Sequence, residues 1–354
     1  MLSFKNKHKT LLINLLQTIL KKRIAVNLFL LLSVSSRVFS QFDSQVSQYM
    51  HNLSLVNPAY AGEQTMIQTS LFQRTQWIGM PGAPIVSSFI IDSPLKLFNQ
   101  QHGVGIHFLS DIFGVFNNQQ VRLMYSYKRN LGRGHISIGA NLGFLNIICN
   151  GDSINISKIS QDDGYHTAND PIIPLGKQTG IGADLGLGVQ YFDKDYRVGI
   201  SLTHINAPTI KLGDVSSFKT APLLQAHVGY DFKMNNEDYN IRTNILFTSD
   251  FTSLTSHISA LLYIKEKIWV GLGYRLEDSF CIIGGIKLFE GMKIGYSFDL
   301  PTSKLIYKTF GSHEIFATYE FSFFRDKSKA IKSIRIYYAA LGLAAQAVFD
   351  GQTE

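Results

Sequence analysis

Histidine has the widest chemical range of any side chain at neutral pH. His107, His227 and His257 fall in segments with serine and aspartate nearby. A hydrolase would need a nucleophile within reach of one of them and an acid to orient the ring. No G-x-S-x-G or comparable signature supplies that nucleophile, so no catalytic residue is expected. A second cluster, Asp152, Asp162, Asp163, His166 and Asp170, lies in 148–178. A calcium loop needs oxygens at alternate positions, then a glycine and a closing glutamate; this spacing lacks them. CxxC and HExxH are absent, so neither a metal nor a cofactor is expected. Gly103-Val104-Gly105 and Gly271-Leu272-Gly273 lack the following helix that turns a glycine loop into a phosphate cradle. With chemistry set aside, the residues must be read as architecture.

The composition of the 354 residues points to a membrane wall without membrane helices. The chain is 45% hydrophobic and only 17% charged, with 29 Gly, 25 Phe and 16 Tyr. Mean hydropathy is +0.06, yet beyond residue 40 no apolar run reaches the roughly 18 residues of a membrane helix. Alternation resolves the contradiction, because a strand with lipid on one face hides its apolarity in every second residue. In 135–145, Ile136, Ile138, Ala140, Leu142 and Phe144 alternate with Ser137, Gly139, Asn141 and Gly143. In 267–276, Ile268, Val270, Leu272, Tyr274 and Leu276 alternate with Trp269, Gly271, Gly273 and Arg275. Segments 180–191, 196–203, 223–232 and 291–299 behave alike.

Fourteen such segments are predicted: 65–77, 83–92, 102–110, 118–131, 134–147, 179–193, 195–205, 221–233, 238–248, 254–264, 267–276, 279–288, 290–300 and 313–324. The fold class is therefore all-β, a transmembrane antiparallel β-barrel of about 14 strands in one domain, 65–325. Connection lengths test the count, since such barrels have short turns at the periplasmic end and longer loops outside. Turns near 132, 194, 235, 266 and 290 are short. Regions 111–117, 148–178, 206–220, 249–253 and 301–312 are expected on the long side. A longish 93–101 and a short 277–278 break the rule.

The ends read differently. Residues 1–40 hold Lys5, Lys7, Lys9, Lys21, Lys22, Arg23 and Arg37 and no acid. Lys21-Lys22-Arg23 precedes an apolar run too short to span, and Val38-Phe39-Ser40 provides a cleavage site, so 1–40 is expected to be a signal peptide. Without those cations, basic and acidic residues balance, and nucleic acid is excluded as a partner. Cys149 and Cys281 sit on separate predicted elements. Residues 326–354 form a C-terminal tail of unassigned structure, with a basic cluster of Arg325, Lys327, Lys329, Lys332 and Arg335 around its start.

Between signal and barrel, 41–64 is expected to form an N-terminal periplasmic segment. It carries Gln48-Tyr49-Met50-His51-Asn52 and Val56-Asn57-Pro58-Ala59-Tyr60-Ala61-Gly62. Asn57-Pro58 fixes an extended entry into a turn. Tyr49, Asn57, Pro58 and Tyr60 are the candidate partner-binding residues, because tyrosine couples large buried area with a polar handle. The other reading is an anchor that closes the barrel mouth. Further on stand Arg74, Gln76-Trp77, Gly82-Ala83-Pro84, Asp92-Ser93-Pro94-Leu95, Ser110-Asp111-Ile112-Phe113-Gly114 and Gly311-Ser312-His313-Glu314-Ile315.

In this order the motifs resemble the PorP/SprF family of the type IX secretion system, found in the Bacteroidetes lineage, over about residues 41–325. The resemblance implies a non-enzymatic accessory barrel of the cell outer membrane, serving cargo or adhesin export and, in some members, gliding motility. It implies outer-membrane lipids, periplasmic ring, lipoprotein or peptidoglycan-binding components, and secreted cargo as partners. A porin-like solute channel is the alternative, since an inward set of Gly, Ser, Asn and Arg also suits a wet lumen.

Overall fold

The computed structural model describes residues 43–151, 176–213 and 216–322. The expected signal peptide, the acidic cluster from Asp152 to Asp170 and the C-terminal tail lie outside these residues. Fourteen antiparallel strands close into one barrel. They are β1 (Ile67–Thr75), β2 (Ile85–Leu97), β3 (Gln100–Phe113), β4 (Phe116–Leu131), β5 (Gly134–Asn150), β6 (Lys177–Phe192) and β7 (Tyr196–Thr203). After a small hairpin, β8 (Thr209–Leu212) and β9 (Ser216–Lys219), come β10 (Leu223–Lys233), β11 (Tyr239–Ser249), β12 (Leu254–Ile264) and β13 (Ile268–Arg275). β14 (Ser279–Phe289), β15 (Met292–Pro301) and β16 (Ser312–Phe321) complete the wall. Each barrel strand pairs with its neighbours in the chain, and β1 closes the ring against β16 from Thr75↔His313 to Ile67↔Phe321.

Alternation decides which way each strand faces. On β5, Ile138, Leu142 and Phe144 are 55%, 53% and 60% exposed, whereas Ser137 and Asn141 between them are buried. Val270 and Leu272 on β13 point outward in the same way, and Trp269 and Arg275 inward. The apolar outer band is what lipid requires, and ring closure leaves no unpaired edge. No described helix is long and apolar enough to cross a membrane, so crossing falls to the strands.

Connections at one end are short throughout: 98–99, 132–133, 193–195, 234–238, 265–267 and 290–291. The longish 93–101 is corrected here. β2 continues through Pro94, opposite Gly103, and the turn is Phe98-Asn99 alone. Both residues have positive φ, 48° and 61°, the conformation that matches the strand twist in a two-residue hairpin. Proline breaks the visible alternation without breaking the strand. Region 111–117 is corrected too, because β3 and β4 run on to a turn at 114–115, with Phe113 and Phe116 rings 5.6 Å apart.

Region 206–220 holds the extra hairpin β8–β9, which is not part of the wall. Its Ile210 and Leu212 are buried with Leu145, Ile147 and Cys149, the inward residues at the end of β5. The hairpin therefore lies against the inside of the barrel at its long-connection end.

Candidate functional site in the barrel lumen

Residues 43–66 run inside the barrel rather than beneath it. Asp43 and Ser44 meet Arg122 and Asp111, toward the long-connection ends of β4 and β3. Glu63 meets Lys128 and His135, beside the short turn between β4 and β5. The segment thus traverses the lumen before entering β1. Three short 3-10 turns shape it: Tyr49–His51, Leu53–Leu55 and Pro58–Tyr60. Asn52 and Asn57 cap the last two, their side chains accepting the N–H of Ser54 at 3.0 Å and of Ala59 at 2.9 Å. This is the ordinary role of asparagine before a turn, and after Asn57 a proline takes the first helical position.

Charge fixes one half of the segment. Arg74 of β1, Arg275 of β13, Asp299 of β15 and Glu314 of β16 converge on Ser47, all buried. Glu314 accepts the main-chain N–H groups of Ser47 at 2.7 Å and Gln48 at 2.8 Å. The Ser47 hydroxyl donates to Asp299 at 2.6 Å and accepts from Arg74 at 2.9 Å and Arg275 at 2.8 Å. Arg74 and Asp299 also pair directly at 2.6 Å. Buried charges persist only when paired and hydrogen-bonded, and here the segment's own atoms complete the pairing.

Main-chain contacts fix the other half. Ser201 donates to the Val56 carbonyl at 2.5 Å, and Ser137 and Gln190 donate to that of Ala59 at 2.7 and 3.1 Å. Ser126 donates to the Ala61 carbonyl at 2.7 Å, Lys128 donates to that of Gly62, and Asp92 accepts the Gly62 N–H at 2.8 Å. The glycines of the inner face make room for this approach. A Cβ on Gly103 would overlap the Ala61 carbonyl, and one on Gly139 would overlap the Ala59 backbone.

A third cluster joins the segment to the root of the β8–β9 hairpin. His204, just past β7 at φ 53°, places Nδ1 2.7 Å from Asp184 and Nε2 3.0 Å from Asp43. Arg122 reaches the same two carboxylates at 3.2 and 3.3 Å. Burial alone would lower the pKa of His204; the Asp43 and Asp184 carboxylates outweigh it and push it up to about 9. Burial likewise opposes ionisation of Asp43, but His204 and Arg122 hold its carboxyl well below the usual range. The imidazolium is therefore the form that fits at neutral pH.

Tyr49, Asn57, Pro58 and Tyr60 are all buried. Tyr49 sits 5.6 Å, ring to ring, from His257, and Tyr60 sits 5.3 Å from His227. Burial pushes both phenols up, so they stay neutral. Asn57 Nδ2 also donates to the Val189 carbonyl at 3.1 Å. These four residues face the wall and present little surface to solvent. His51, absent from the sequence reading of the site, stacks on Phe316 at 4.2 Å, and burial lowers its pKa to about 3. Arg74 and Glu314 stand among the motifs quoted from the sequence, but nothing in the spacing joins them to Asp299 and His204 as one cluster. A further trace is charge on inward positions of strands otherwise rich in Gly and Ser.

Of His107, His227 and His257, His107 stands with a serine, Ser88 at 2.9 Å, and its ring hydrogen bond goes to that hydroxyl rather than to an orienting carboxylate. No described group of His, Cys, Asp and Glu has the makings of a metal site. Cys149 and Cys281 are free and buried. Two cavities flank the segment. One, of about 70 Å³, is bordered by Asp43, Tyr49, His107, Arg122 and His257. The other, of about 380 Å³ near the short-connection end, is bordered by His51, Tyr60, Glu63, Arg197, Arg242 and Trp269.

The profile described as type IX secretion system membrane protein PorP/SprF matches residues 38–319. The match spans most of the chain, and the protein belongs to this family. With its closed barrel and apolar outer band it is a protein of the outer membrane. Solved structures similar to it include the CymD monoaromatic hydrocarbon channel, at 12% identity and a TM-score of 0.44, over 80% of this chain and 95% of that one. The Acinetobacter baumannii outer membrane protein Omp33 is similar at 7% identity and 0.43, over 73% and 100%. The P. putida toluene transporter TodX is similar at 11% identity and 0.42, over 77% and 94%. No curated protein matches the chain.

Proposed function

We propose that this barrel works without catalysis, as an accessory that anchors and docks components of type IX secretion at the outer membrane. Its partners are periplasmic ring, lipoprotein or peptidoglycan-binding components together with secreted cargo; adhesin export and gliding are the outputs in this reading. The observation that carries it is the occupied lumen. A solute channel needs a continuous water path, whereas here 43–66 is bonded to strands around the ring, from β16 and β1 through β7. Tyr49, Asn57, Pro58 and Tyr60 serve partners indirectly, by seating that segment. The accessible docking face is the short-connection end, where Lys194, Lys233, Lys265 and Glu266 are exposed. Affinity purification from native outer membranes tests the reading. Co-purification of secretion components, lost on charge reversal of those turns, supports it; recovery of the barrel alone overturns it.

A further inference from the structure

The wall holds 56–62 mostly by peptide groups, which every polypeptide shares. Ser201, Ser137, Gln190, Ser126 and Lys128 donate to main-chain carbonyls, and Asp92 accepts a main-chain N–H. Where side chains would intervene, the wall has Gly103 and Gly139 and the segment has Ala61 and Ala59. Recognition through main-chain hydrogen bonds gives affinity without demanding one sequence. The segment runs into β1 through Gln64, Thr65 and Met66, of which Gln64 and Thr65 are exposed.

The geometry points to a peptide-binding site on the inner wall of β2–β7. Residues 56–62 occupy it in cis, and it accepts a segment of a second polypeptide that takes the same single 3-10 turn, with small residues at the Ala59 and Ala61 positions, once they withdraw. The inference does not rest on the docking role above, because binding is read on purified protein. No bond is made or broken; one set of main-chain hydrogen bonds replaces another.

The test inserts a protease site between Gln64 and Thr65 of the full chain, which is folded in micelles and then cut. A fluorescent peptide of sequence 43–63 is added, and its anisotropy is followed. Saturable binding after cutting, and none before, is expected. A peptide with 43–55 scrambled and 56–63 retained should bind within about tenfold of the parent. A peptide carrying leucine for Ala59 and Ala61 should not bind. A cut Gly139→Leu barrel should also fail to bind the parent peptide while staying heat-modifiable. If the cut segment never leaves and no peptide enters, 43–66 is a permanent filling and the inference is overturned. If scrambling 43–55 abolishes binding, the site reads side chains, and the main-chain account is overturned. Either failure leaves docking through the exposed turns untouched.

Discussion

At the scale of single residues, the lumen is organised by ion pairs that are stable only in company. Arg74→Met removes a guanidinium from two buried carboxylates. Asp299 keeps Arg275 at 3.5 Å, and Glu314 keeps only main-chain donors. Breaking a buried pair from one side costs about 3–5 kcal/mol. Urea unfolding in vesicles should show that loss, with the barrel still inserting; an unchanged midpoint would mean that water already screens the cluster. The outer face follows different physics. Leu142→Arg, mid-strand and outward, should cost about 2–4 kcal/mol near the bilayer midplane. Asn141 faces the lumen instead, is buried at 5% exposure, and its side chain sits against Gly186. Asn141→Arg should insert normally yet loosen the segment, seen as faster proteolysis at Gln64-Thr65. Equal insertion defects from both changes would mean that the two faces are wrongly assigned.

At the scale of elements, period-two alternation made the wall legible, because each strand reports its own facing from its own residues. The strand ends differ where local composition imitates a loop: the sequence places the end of β2 at 92, ahead of Pro94, and leaves 111–117 around Gly114 outside β3 and β4, whereas all three strands run on. The β8–β9 hairpin was invisible because its apolar partners, Leu145, Ile147 and Cys149, belong to another element. The same holds for the path of 43–66. Asn57-Pro58 announces a turn, but nothing local says that the turn is inside a barrel. Glycine on the inner face was legible as a pattern, and its reason, the seat of a peptide, was not. The latch between the segment and the hairpin root makes a pH prediction. His204 has its pKa raised from 6.5 to about 9. Its stabilising contribution is therefore complete below about pH 6.5 and is lost as pH rises through 9. Asp43, shifted down, loses its contribution only in acid. Cysteine labelling of Ser44→Cys should quicken between pH 7 and pH 10, beyond the intrinsic thiol ionisation measured on a control peptide. His204→Gln should remove the excess; a pH-independent excess would separate the latch from His204.

At the scale of the whole molecule, strand number sets what the interior must contain. A barrel of about eight strands is filled by its own side chains, and one of about sixteen leaves an aqueous channel. Fourteen lies nearer the second case, so a closed lumen requires added chain. Residues 43–66 and the β8–β9 hairpin provide it from two directions, and they meet at Asp43 and His204. The two fillings should then contribute separably to closure. Purified protein in planar bilayers is expected to show no steady conductance. Cutting at Gln64-Thr65 and washing out the segment should produce steps, because the hairpin packs against the β4–β6 side of the long-connection end and leaves the rest of the ring uncovered. Replacing 209–219 with a short glycine linker, with 43–66 left in place, should produce smaller or flickering steps, since the segment still spans the lumen. Doing both should give the largest and most stable steps. The ordering is the informative part, as it follows from one filling running the length of the barrel and the other resting at one end. Steady, ion-selective conductance from the uncut protein would reverse the argument and restore the porin-like channel as the working reading.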